Sequence, residues 1–191
     1  MFIQTEPTPN PATLKFLPGC EVTGVGVRDY QAVEEASNSP LAQRLFDIEG
    51  VMAIFLGSDF VSVTKAEDFD WSLLKPIILG ALMDHFSQGM PVLLDEELNE
   101  QAASGNQILE TDDDIVKQIK EIIESRVRPA VAQDGGDIIF HKFEGGVLYL
   151  EMRGACAGCP SSTMTLKMGI ENLMRHFVPE VNEVRAINGL A

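Results

Sequence analysis

Three of the 191 residues are cysteines, and two of them, Cys156 and Cys159, lie two residues apart within Gly154-Ala-Cys-Ala-Gly-Cys-Pro-Ser-Ser-Thr163. At that spacing both sulfurs can address one metal centre, as in zinc sites and iron-sulfur proteins. The apolar periodicity after them predicts a helix over 160–177, with Pro160 in its first turn, where a missing donor costs nothing. The pair therefore stands at or just before a helix start. There, unpaired amides and the helix dipole favour thiolate, the form that binds metal or attacks a disulfide.

A tetrahedral all-thiolate zinc site or a four-iron cluster generally takes four cysteines, and this motif supplies two. Cys20 is far away in sequence. The remaining ligands must come from a second copy of the chain or an exogenous thiol, or else no metal is bound. The simplest of these is a homodimer with two Cys156/Cys159 pairs facing one centre. A centre with half its ligands on each of two separable subunits is easily opened, which suits a carrier. Two rival readings stay open on the residues alone: a zinc-stapled interaction module shared between two copies, and a dithiol oxidoreductase. The second usually needs a strand-helix-strand pattern before its cysteines, whereas the stretch before this pair reads as a helix and a hairpin.

The elements that position the pair belong to a chain of two small mixed domains, class α+β, joined by an acidic flexible linker. In the first domain, residues 1–95, Phe2–Thr5 and Thr13–Leu17 read as strands around a proline-rich turn. Tyr30–Ala36 and Pro40–Phe46 read as short helices, the latter capped by Ser39. Val51–Leu56 and Phe60–Thr64 read as a hairpin. A helix over Trp71–Phe86 carries apolar residues at 71, 74, 78, 82 and 86, with its start in question at Pro76. Residues 96–110 are acidic, small and free of basic residues, and read as the linker. The second domain, residues 111–191, reads as helix, hairpin, helix, strand. Thr111-Asp-Asp-Asp114 matches a capping box, and Ile115, Ile119, Ile122, Arg126 and Ala130, widened by Ile123, Val127 and Val131, form its stripe. Asp134-Gly-Gly-Asp137 turns the chain into a strand over 138–143. Glu144-Gly-Gly146 is a tight turn, and Val147–Arg153 delivers the cysteines into a helix with Thr163, Leu166, Ile170, Leu173 and Phe177 on its buried face. A third strand is predicted over 181–187.

The net charge of −15 and the lack of clustered Lys and Arg argue against nucleic-acid binding. The acid is uneven: residues 1–95 hold 5 basic and 13 acidic residues, 96–110 hold four acidic ones, and 111–191 hold 9 and 12. No stretch has the length of an apolar membrane span. The opening Met-Phe-Ile-Gln-Thr-Glu-Pro has neither a secretory pattern nor an Arg-rich one, so the expected location is cytoplasmic, or that of an already processed chain. Cys20 reads as a free loop thiol. His85, His141 and His176 have no ligand partner at close spacing. Met164, Met168 and Met174 read as helix packing, and Gly135-Gly136 as a turn.

The cysteine motif, together with Val131-Ala-Gln-Asp-Gly-Gly-Asp137, resembles the signature of the NifU C-terminal domain. Thr8-Pro-Asn-Pro-Ala-Thr-Leu-Lys-Phe-Leu-Pro-Gly19, with Pro40-Leu-Ala-Gln-Arg-Leu-Phe46 and Trp71-Ser-Leu-Leu-Lys-Pro76, resembles the Nfu N-terminal domain. In this order they are similar to the Nfu family of iron-sulfur cluster carriers, and the resemblance covers nearly the whole chain outside the linker. It implies a non-catalytic protein that binds a 4Fe-4S cluster through Cys156 and Cys159, bridged between two subunits of a homodimer. It implies an upstream assembly scaffold as donor, and apo-proteins such as lipoyl synthase, aconitase-type enzymes or respiratory-complex subunits as recipients. The N-terminal domain is expected to recognise partners. A bacterial cytoplasmic protein is expected, with a mature mitochondrial matrix protein as the alternative. Cys20 has no place in the family pattern.

Overall fold

The computed structural model describes residues 2–24, 26–94, 106–157 and 160–187, with the backbone alone for 160–162. The chain divides into two compact units, Met1–Leu98 and Asn99–Ala191, each combining one sheet with helices. The fold class is α+β, as predicted.

In the first unit five antiparallel strands, β1 (Gln4–Pro7), β2 (Thr13–Leu17), β3 (Arg28–Tyr30), β4 (Val51–Leu56) and β5 (Val61–Lys65), run in the order β1-β2-β5-β4-β3. Inward residues Phe16, Ile54, Leu56, Val61 and Val63 are buried against α1 (Pro40–Phe46) and α2 (Trp71–Ser87). Ser39 caps α1 as expected: its Oγ accepts from the Ala42 N–H at 3.1 Å and donates to the Val92 carbonyl at 2.7 Å. The short helix expected over Tyr30–Ala36 forms only in part, as a 3-10 turn that starts at Val33. Arg28–Tyr30 pairs with β4 as an edge strand, and a 3-10 turn follows at Val33–Asn38. The Tyr30 hydroxyl donates to Asn38 Oδ1 at 3.0 Å, tying that turn to the strand. Pro76 lies inside α2 and does not start it. Asp70 caps the helix by accepting from the Ser72 N–H at 2.7 Å, and Leu74, Ile78, Leu82 and His85 are buried on one side. Burial of that stripe carries the helix through the hydrogen bond that the proline removes.

The second unit has a three-stranded sheet, β6 (Gly136–Glu144), β7 (Val147–Gly154) and β8 (Glu183–Ile187). The β6–β7 pair is antiparallel and β7–β8 is parallel. The parallel pairing requires a crossover, which α5 (Pro160–Phe177) supplies. Before the sheet, α3 (Asp114–Ile122) passes through a π-helical turn at Ile123–Val127 into α4 (Arg128–Gln133). Pro129 cannot donate back along a regular helix, and the wider turn before it accommodates that loss. The turn also rotates the buried face: Ile119, Ile122, Ile123, Val127 and Val131 are buried, whereas Arg126 and Ala130, expected on the stripe, are exposed.

Two expectations at the start of this unit are corrected. The capping box at Thr111 is not made: the helix begins at Asp114, and Asp113 at its cap position makes no side-chain bond. The neighbouring Asp112 instead accepts from the Leu109 N–H and from buried Lys120, both at 2.8 Å. The expected linker over 96–110 is also shortened at its C-terminal end. Buried Asn106 donates from Nδ2 to the Ile138 carbonyl at 2.9 Å and accepts from the Phe140 N–H at 2.6 Å, so the second unit is anchored from there. Residues 96–105 lie outside the described residues.

Candidate metal centre

The β6–β7 hairpin folds because Gly145 and Gly146 take φ of 58° and 81°, conformations that tolerate little but glycine. Its register pairs Gly136 with Gly154 and Asp137 with Arg153, so the Asp134–Asp137 stretch and the cysteine stretch meet at the same end of the hairpin. Gly154 leaves the strand with φ of 64°. The Ala155 N–H donates to the Gly135 carbonyl at 3.1 Å, the Ala157 N–H donates to the Gly154 carbonyl at 3.0 Å, and Thr163 Oγ1 in α5 donates to the Cys156 carbonyl at 3.0 Å. Strand, turn and helix thus each hold one side of the cysteine loop.

Cys156 is buried, 5% exposed, and packs with the second unit's core. A Cβ placed on Gly136 would lie 2.7 Å from its Sγ and 2.6 Å from the Arg153 carbonyl oxygen. The two glycines of Asp134-Gly-Gly-Asp137 therefore have different tasks. Gly135 makes the turn with φ of 80°, and Gly136 leaves room for the sulfur. Reading the pair only as a turn missed the second task, because a close approach across a hairpin depends on register, which spacing along the chain does not display.

The sulfur is not in the electrostatic setting expected from a helix start. Burial, followed by the negative charges of Asp134 and Asp137, pushes the Cys156 thiol up to about 12. Desolvation of the charged form outweighs a dipole that begins only at Pro160. Cys159 lies outside the described residues.

Asp137, 3% exposed, is held by a bidentate pair with Arg128, Nε to Oδ1 at 2.7 Å and Nη2 to Oδ2 at 2.9 Å. Arg128 also donates to both carboxylate oxygens of Glu124 at 2.9 and 3.0 Å. This network ties the last helical segment to the strand beside Cys156. Its Glu124–Arg128 half was legible as an i,i+4 pair; its Asp137 half needed the fold. Arg153 donates to Glu151 at 2.7 Å. Cys20 is half-buried in the first unit. His85 is buried there, and His141 and His176 are exposed. Among the described residues no three His, Cys, Asp or Glu side chains converge as a metal site, and no helix is long and apolar enough to cross a membrane.

A two-unit α+β chain whose single Cys-x-x-Cys pair is set between a hairpin strand and a helix is a small thiol-bearing, two-module protein. Residues 3–89 match the model described as scaffold protein Nfu/NifU N terminal, and residues 119–185 match the NifU-like domain. The NFU1 iron-sulfur cluster scaffold homolog, mitochondrial, of Drosophila ananassae is 46% identical over 188 residues, covering 98% of this chain and 64% of the relative. NifU-like protein 4, mitochondrial, of Arabidopsis thaliana is 50% identical over 186 residues, covering 96% and 65%. The chain belongs to the Nfu family. It spans just under two thirds of the length of these curated relatives. The solution NMR structure of a NifU-like protein from Saccharomyces cerevisiae aligns with a TM-score of 0.45 at 29% identity, covering 50% of this chain and 86% of that one.

Proposed function

We propose that this protein carries an iron-sulfur cluster as cargo, without catalysing a reaction. Cys156 and Cys159 from each of two protomers hold one 4Fe-4S cluster, received from an upstream scaffold and released to apo-proteins by thiolate exchange. The observation that carries this reading is the hairpin end that holds Cys156 Sγ against Gly136 just ahead of α5, in a chain whose relatives are named iron-sulfur cluster scaffolds. Coordination requires the deprotonated sulfur, so loading releases protons, and the iron supplies the positive charge that the apo pocket lacks. Release reverses this. As recipient thiolates replace the pair, the departing Cys156 sulfur regains a proton in a pocket that favours the thiol. Low affinity for the bare thiolate suits a carrier that must let go.

The first domain, residues 1–95, is assigned to partner recognition, the linker to 96–105 and the cluster domain to 106–191. Recipients of the lipoyl synthase, aconitase and respiratory-complex kinds follow from the family resemblance. The relatives' names support the mitochondrial alternative over the bacterial cytosol.

The test is anaerobic reconstitution with iron and sulfide, followed by absorption, iron and zinc analysis and sizing. A band near roughly 400 nm with about four irons per two chains is expected, lost in Cys156→Ala and in Cys159→Ala. A colourless protein with about one zinc per two chains would replace this reading with a structural zinc module.

A further inference from the structure

The three methionines of α5 do not share one role. Met174 is fully buried in the second core, as packing predicts, but Met164 is 64% exposed and Met168 is 60% exposed. They lie one turn apart, so their side chains neighbour each other on the helix surface. Thr165 and Gly169 are exposed beside them, and a Cβ on Gly169 would meet nothing within 4 Å. The helix packs inward through Ile170 and Met174, with Leu166, Leu173 and Phe177 partly covered. The opposite side thus carries an uncharged strip, Met164, Thr165, Met168 and Gly169, which exposed Asn172 extends before the next exposed charge at Arg175. An exposed pair of long apolar side chains is a desolvation reserve with no use inside the monomer.

The position of the strip limits its occupant. At about 1.5 Å rise per residue, Met164 lies roughly 6 Å and Met168 roughly 12 Å along the helix from Pro160, the residue after Cys159. The cysteine pair is half of a four-thiolate site, and a protomer that completes it must approach within a few ångströms of this helix start. Each chain brings its own strip with its own cysteines, so a twofold arrangement makes the contact self-complementary. Methionine is flexible enough to fill an imperfect helix-helix gap, and Gly169 allows a close crossing.

We infer that the Met164–Gly169 strip of α5 is the surface on which a second copy of this chain docks when the cluster is bridged. The inference rests on the proposed bridged cluster and adds the surface that joins the two protomers. Cluster and strip form one interface: thiolates hold the centre, and the methionines exclude water beside it and supply apolar area. The apo-protein lacks the cluster's four bonds, so the strip alone holds this same contact only weakly.

The experiment compares full-length wild type, Met164→Glu/Met168→Glu and Met164→Leu/Met168→Leu. Each is followed by circular dichroism in the apo state, then by light-scattering mass and iron content after anaerobic reconstitution. The leucine pair is expected to load and dimerise like wild type. The glutamate pair is expected to keep the apo spectrum and to dimerise at least about a hundredfold more weakly, because four carboxylates would be buried at the contact. Wild type that takes up no iron would overturn the underlying reading. A glutamate variant that forms the loaded dimer as well as wild type would overturn the inference alone, including when it then transfers its cluster more slowly, which would assign the strip to a recipient. Loss of loading in the leucine pair would also overturn it, by pointing to sulfur ligation.

Discussion

Gly136→Ala tests whether the hairpin is built around the Cys156 sulfur. The added methyl would meet the Arg153 carbonyl oxygen at 2.6 Å, Cys156 Sγ at 2.7 Å and Cys156 Cβ at 3.2 Å. The carbonyl belongs to β7, whose register across the hairpin is continuous here, and the sulfur is buried in the core, so neither can retreat without moving a neighbour. Overpacking of this kind costs about 1–3 kcal/mol. Replacing glycine in a strand returns about 0.5–1 kcal/mol through the unfolded chain. From the middle of each range the expected net loss is about 1 kcal/mol, and for a unit of this size that lowers Tm by about 4–8 °C. The assay is thermal unfolding of the apo full-length protein by far-ultraviolet circular dichroism, with fluorescence of Trp71 as the internal control. Trp71 is the single tryptophan and lies in the first unit, so its transition should stay in place. Cluster loading should fall in parallel, because the shifted sulfur no longer faces its partners. A second-unit transition equal to that of wild type would refute the argument that Gly136 is present for the sulfur.

Three further outcomes are expected. The Cys156 thiol has its ordinary value near 9.0 raised to about 12, so its alkylation in the folded apo-protein should be slow at neutral pH and rise about tenfold per pH unit toward that value. The unfolded chain ionises first, so this group's contribution to stability is present below about pH 9 and lost between pH 9 and 12; alkylation at neutral pH as fast as in urea would contradict the burial argument. His85 has its protonation held below the ordinary value of 6.5, first by burial and then by Arg44. The unfolded chain takes the proton first, so the first unit should lose stability as pH falls below about 6.5, and denaturant titrations of His85→Leu should show a flatter pH dependence. Asp137→Asn should cost about 1–3 kcal/mol, because the Arg128 guanidinium keeps Glu124 but loses the buried carboxylate that it grips with two donors, a loss that urea unfolding would register in the second unit alone.

Much of this protein was legible in its sequence because its elements are locally specified. Ser39 before Pro40 announced a capped helix, Gly145-Gly146 a hairpin turn, and the apolar periods of α2 and α5 their buried sides, all from interactions within a few residues. The misses arise where distant partners outweighed local preference. Arg28–Tyr30 became a strand because β4 offered a free edge, Asp112 turned to Lys120 and left the capping box unmade, and Asn106 left the linker for the β6 backbone. The cysteine pair shows the same division. Residue type and spacing determined that two sulfurs could address one metal centre and that more ligands were needed. Only the tertiary structure decided that Cys156 is buried against Gly136, that Asp137 is clamped by Arg128 beside it, and that Met164 and Met168 face outward while Met174 faces in. Spacing along a chain sets which atoms can reach one another, but burial and charge at a site are sums over every element packed around it.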